Sequence, residues 1–117
     1  MTLFLPVSNA SIRVWDSARL QFKPAPHEDW EEMSLDPSDF FYLAGTSRRT
    51  GWRWARYLLI VGVLPTPDAE VIITFPGWFR RERKVRPIRL NERFWFLEME
   101  SARRDAAITV DGLVIRS

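Results

Sequence analysis

The sequence predicts an all-β fold, an antiparallel sandwich of jelly-roll type built from about nine short strands. Three observations predict it. Eight prolines and five glycines interrupt the chain too often for long helices. The segments between them are rich in Val, Ile, Phe, Trp and Tyr, side chains that suit a pleated, half-buried surface. Turn signals recur every eight to twelve residues, the spacing of sandwich strands. A chain of 117 residues buries one core and little more, so residues 1–117 read as a single domain.

Each element follows from the local pattern. Ser11 to Trp15 alternates, with Ile12 and Val14 on one face and Arg13 and Trp15 on the other. Arg19 to Phe22 places Leu20 and Phe22 together. A loop from Lys23 to Asp29 carries Pro24, Pro26 and His27, and Trp30 to Leu35 forms a short strand before a turn at Asp36-Pro37-Ser38. Phe40 to Leu43 is a further apolar run, closed by Gly45. Trp52 to Leu64 is long enough for a helix, but Tyr57, Ile60, Val61 and Val63, with turn residues on both sides, favour a strand. Its uniformly apolar second half predicts cover on both faces, and Gly62 suits a bulge or bend. Glu70 to Phe75 alternates again. Val85 to Leu90 and Arg93 to Met99 pair through Asn91-Glu92, and Ala107 to Val110 pairs with Leu113 to Arg116 through Asp111-Gly112. Leu58, Ile60, Val71, Ile73, Phe96, Leu97, Ile108 and Leu113 are the predicted core.

Composition narrows the chemistry. The chain has no Cys and one His, His27, which excludes a Cys nucleophile, a Cys-based zinc site and any metal site with several His ligands. No Gly-rich phosphate loop is present. The expectation is a protein without catalytic turnover and without a cofactor or metal. The longest apolar run, Leu58 to Leu64, is far short of the roughly 18 residues that span a bilayer. The N-terminus lacks a basic start and an apolar signal core, so a cytoplasmic location is the default.

The 17 basic residues include only two lysines, Lys23 and Lys84, so the remainder are arginines, whose planar guanidinium suits ordered contacts and ring stacking. The charges are segregated. Six acids and no base occupy Glu28 to Asp39, whereas seven bases lie between Phe79 and Arg93. One reading is that these segments face and neutralise each other. The acids lack the Gly-supported spacing of a calcium loop, and a solvated acidic loop accounts for them. The formal charge of only +2, with no recognisable nucleic-acid motif, argues against a nucleic-acid partner.

Trp52-Arg53-Trp54-Ala55-Arg56-Tyr57 interleaves rings with arginines, and on a strand Trp52, Trp54 and Arg56 project to one side. Such a row can stack on sugars or bases, or pack as core and rim. Trp78-Phe79-Arg80-Arg81, after a Pro-Gly turn, is similar. Trp52, Trp54, Arg56, Trp78, Arg80 and Arg81 are therefore the candidate ligand-binding residues.

Trp30 with Asp36-Pro37-Ser38-Asp39-Phe40, then Gly51-Trp52 opening a long apolar strand, the strand Ala69 to Ile73, and Asp105 before a closing strand pair form a pattern. It resembles the small β-sandwich domains that precede the catalytic domains of some bacterial surface-polysaccharide glycosyltransferases. The resemblance spans roughly Trp30 to Arg116, and the chain departs from it in the dense Arg80 to Arg89 segment. It implies a sandwich that binds a glycan or accompanies a glycosyltransferase. Catalysis does not carry over, since the nucleotide-binding domain and its Asp-x-Asp-like motif are absent. The alternative is a structural or interaction domain whose Arg-rich hairpin meets an acidic protein partner.

Overall fold

The computed structural model describes residues 2–15, 19–36, 39–48, 54–76, 83–100 and 106–116. Within them the fold is all-β, with twelve strands and no helix. In chain order these are β1 (Thr2–Leu5), β2 (Ala10–Trp15), β3 (Arg19–Lys23), β4 (Glu31–Met33), β5 (Phe40–Arg48) and β6 (Trp54–Val63). They continue with β7 (Val71–Phe75), β8 (Arg83–Val85), β9 (Ile88–Arg89), β10 (Phe94–Glu100), β11 (Ala107–Val110) and β12 (Leu113–Arg116).

The strands form three antiparallel four-stranded sheets. The front sheet is a meander, β1-β2-β3-β4; the central sheet has the order β5-β6-β10-β9; and the back sheet has the order β12-β11-β7-β8. The sandwich expected from the sequence is thus present with a third layer, twelve strands in place of about nine and three sheets in place of the two of a jelly roll.

The layering follows from the period-2 alternation of side chains. Along β6, Leu58, Ile60 and, just beyond the strand, Leu64 join Val71, Ile73 and Phe75 of β7 and Ile108 and Val110 of β11 in one core. The intervening Leu59, Val61 and Val63 join Leu5, Ile12, Leu20 and Phe22 of the front sheet in a second core. β10 divides in the same way, with Trp95 and Leu97 facing the back sheet and Phe94 and Phe96 the front. The unbroken apolar run from Leu58 to Leu64 is therefore a strand covered on both faces, as its composition predicts.

Several local expectations are corrected. Gly62 forms no bulge: β6 and β10 stay in register from Val63–Phe94 to Tyr57–Glu100. Instead Trp95, the cross-strand partner of Gly62, lays its indole over the bare Cα. A Cβ at Gly62 would lie 2.7 Å from Trp95 Nε1 and closer still to Cζ2 and Cε2. Gly45 does not end its strand; β5 runs on to Arg48, and a Cβ at Gly45 would meet Tyr57 Oη at 3.1 Å. The single strand expected over Val85 to Leu90 is split by Arg86-Pro87 into β8 and β9, which belong to different sheets. Proline has no N–H to continue a ladder, so the chain changes layer there. Leu113, expected in the core, is 70% exposed, because its strand is the outer edge of the back sheet. The other seven predicted core residues are buried. β1 was not among the predicted strands; it pairs with β2 across a turn in which Asn9 takes a φ of 62°.

The turns use the chemistry their residues supply. Asp111 (φ 50°) and Gly112 (φ 80°) both adopt the left-handed backbone that a two-residue hairpin requires. Asn91 Oδ1 accepts the backbone N–H groups of Arg93 and Phe94, each at 2.8 Å, and closes the β9–β10 hairpin.

Candidate ligand-binding face

Trp52, Trp78, Arg80 and Arg81 lie outside the described residues, and Trp54 is described only as backbone of β6. Arg56 is exposed on β6, opposite Thr46. In the basic segment, Arg83, Lys84 and Arg86 are exposed, but Arg89 turns back and donates to the carbonyl oxygens of Pro67 and Ala69. Arg86 approaches Glu70 at 3.9 Å. From the acidic segment, Glu32 is held by Arg19 of the neighbouring strand, not by the basic hairpin.

The structure assembles an aromatic and basic surface elsewhere, on the outer face of the front sheet. Its origin is the alternation of β2 and β3. With Ile12, Leu20 and Phe22 buried against the central sheet, Arg13, Trp15, Arg19, Gln21 and Lys23 must point outward. Register then sets the neighbours: Arg13 pairs with Gln21 and Trp15 with Arg19 across β2 and β3. Trp30 arrives from the loop that enters β4. The Arg13 guanidinium lies 4.9 Å from the Trp15 ring centroid and 4.3 Å from that of Trp30, and the Lys23 ammonium is 5.7 Å from Trp30.

Gln21 fixes this arrangement. Its Oε1 accepts from Arg13 Nε at 2.7 Å, from Arg13 Nη2, and from Trp15 Nε1 at 2.8 Å. One carbonyl oxygen therefore orients both the cation and the indole, leaving Trp15 46% exposed. Phe4, 53% exposed on β1, extends the apolar surface on the same face, since its partner Ser11 sits two residues before Arg13. The Ser11 to Trp15 alternation already put Arg13 and Trp15 on one side. The missing signal was Gln21, whose role depends on the β2–β3 register.

Beside this platform the surface falls into an open cleft of about 590 Å³, bordered by Arg19, Glu32, Ser34, Asp36, Arg93 and Phe94. Arg19 and Glu32 form a two-pronged pair, Nε to Oε1 at 2.7 Å and Nη2 to Oε2 at 3.0 Å. The hydrogen bond from Arg19 holds the Glu32 carboxyl below the ordinary carboxylate range. Arg93, across the cleft, has its guanidinium 5.7 Å from the Phe94 ring.

A second polar cluster joins the sheets. Glu98 of β10 accepts the backbone N–H groups of Val7 at 3.1 Å and Ser8 at 2.9 Å, and the Ser8 hydroxyl at 2.6 Å. The β1–β2 turn is thereby clasped to the central sheet. Burial, with the nearby Glu98 charge adding to it, pushes the Tyr57 phenol above its ordinary value. This cluster is fully engaged in holding layers together. Among the described residues no group of three or more His, Asp and Glu converges, and no helix is long and apolar enough to cross a membrane.

No protein-family model, curated protein or solved structure matches this chain. The front-sheet surface itself presents flat rings, a fixed guanidinium and amide edges beside them. Such a surface can hold a ligand with apolar faces and hydrogen-bonding edges.

Proposed function

We propose that the chain is a non-catalytic carbohydrate-binding module whose ligand face is the outer surface of the front sheet. The observation that carries this reading is Arg13 held between Trp15 and Trp30, with Gln21 bonding both Arg13 and Trp15. A pyranose offers C–H faces to an indole and hydroxyl groups to guanidinium and amide edges, and the platform supplies both at fixed positions. Preorganisation matters because a shallow contact gains little if the side chains must first be ordered. Following the sequence resemblance, the module serves as an accessory to a bacterial glycosyltransferase of surface-polysaccharide synthesis. In the alternative, a protein-docking role for the basic hairpin, Arg83, Lys84 and Arg86 are exposed, but Arg89 is engaged by backbone carbonyls of its own chain.

Tryptophan fluorescence titrated with acidic polysaccharide fragments tests the proposal. Saturable quenching, lost in Trp15→Ala while the thermal transition is kept, is the expected result. Unchanged binding by Trp15→Ala and Trp30→Ala would show that the ligand does not contact the platform.

A further inference from the structure

We propose that the platform and the adjoining cleft form one continuous track for an extended oligosaccharide, with Trp15 at one end and Arg93 at the other. The inference rests on the carbohydrate reading above and specifies the ligand class: a chain of linked sugars, not a single ring. Continuity comes from Arg19. It is the cross-strand partner of Trp15 on the platform, and it also borders the cleft. Directly opposed residues of an antiparallel pair have Cβ atoms only about 4.5–5.5 Å apart, so the two surfaces adjoin at this pair.

The junction is also rigid. The two-pronged bond to Glu32 fixes the Arg19 guanidinium in a plane, and Glu32 in turn belongs to β4, the strand that forms the cleft wall. Beyond it the cleft repeats the chemistry of the platform in a different form. The half-buried Met33 and Leu35 leave some apolar surface in it, Ser34 and Asp36 offer oxygen acceptors, and Arg93 supplies donors, while Phe94 itself stays buried in the core. A sugar leaving the Trp15 surface therefore meets a second site with polar edges and a small apolar patch. Since Arg93 comes from the turn before β10 and Asp36 from the segment after β4, the two cleft walls belong to different sheets.

The test uses the full chain and a size ladder of uronate-containing oligosaccharides, from disaccharide to octasaccharide, measured by calorimetric titration. Affinity is expected to rise with length and then level off once platform and cleft are both occupied. Arg93→Gln and Asp36→Asn should each weaken the longest fragment, by about tenfold for the arginine change, while the disaccharide binds as before. Trp15→Ala should weaken every length. Equal affinity at all lengths, unaffected by Arg93→Gln but still reduced by Trp15→Ala, overturns the track and leaves the platform standing. Undiminished binding at every length in Trp15→Ala, or no binding of any fragment to the unaltered protein, overturns the platform and the track with it. Melting curves of Arg93→Gln and Asp36→Asn, expected to match the unaltered chain, separate lost contacts from lost fold.

Discussion

The central and front sheets use the same residue types to opposite ends, and two tryptophans make the contrast plain. Trp95, on β10, is fully buried, with its ring over Gly62 and its Nε1–H without a hydrogen-bond partner among the described residues. Trp15, on β2, is 46% exposed, with its Nε1–H bonded to Gln21 at 2.8 Å. An orphaned buried donor costs about 1–3 kcal/mol, which burial of a large ring surface offsets. The central sheet therefore spends tryptophan on packing, and the front sheet presents it. What decides is the number of covered faces. A strand between two sheets has no outward side, whereas an outer strand always has one.

The sharpest way to break this comparison is to remove each ring. Trp95→Ala should destabilise by about 3–5 kcal/mol in urea unfolding, as for other large core truncations, while Trp15→Ala should change stability by less than about 1 kcal/mol and abolish ligand-induced fluorescence changes. Equal losses from both would mean that the front face is part of the core. Ile73→Ala, at a site with no exposure, should cost about 2–5 kcal/mol, close to the loss at Trp95 and well above that at Trp15.

Gly62→Ala probes the packing of Trp95 directly. The added methyl falls inside the contact distance of the indole, and an overpacked core loses about 1–3 kcal/mol. A neutral result would show that the ring can move aside. Next in size is the clasp between the layers. Glu98→Ala strips the acceptor from the Val7 and Ser8 N–H groups and the Ser8 hydroxyl, and about 2 kcal/mol should be lost, read from the unfolding midpoint.

The smallest effects are those of pH. Tyr57 titrates above its ordinary value in the folded chain, so the unfolded chain gives up this proton first as pH rises. Its contribution is fully present below about pH 10 and is lost as pH climbs past that value. Tyr57→Phe should flatten the alkaline fall in melting temperature. Glu32 behaves in the opposite sense: its folded value is lowered, so its contribution is present above the ordinary carboxylate value and is lost as pH falls through the folded one. Because the Arg19–Glu32 pair is exposed, acid should relax the cleft wall and lower long-fragment affinity with little change in melting temperature.

The sequence by itself determined the all-β class, most of the strands and seven of eight chosen core residues, because alternation and turn chemistry act over a few residues. Asp111-Gly112 and Asn91 close hairpins with their own backbone and side chains, and Leu58 to Leu64 is apolar on successive residues only because both faces are covered. Tertiary structure decided what those local rules leave open. Leu113 has the side chain of a core residue but occupies an edge strand. Gly62 reads as a bend until Trp95 is seen to need its missing side chain. The proposed binding face was decided in the same way. Arg13 and Trp15 are neighbours in sequence, but Gln21, Trp30 and Arg93 reach one surface only through the β2–β3 register, the loop entering β4 and the stacking of the front sheet on the central one. Distances across strands and layers depend on how the whole chain packs, and no short window of residues contains them.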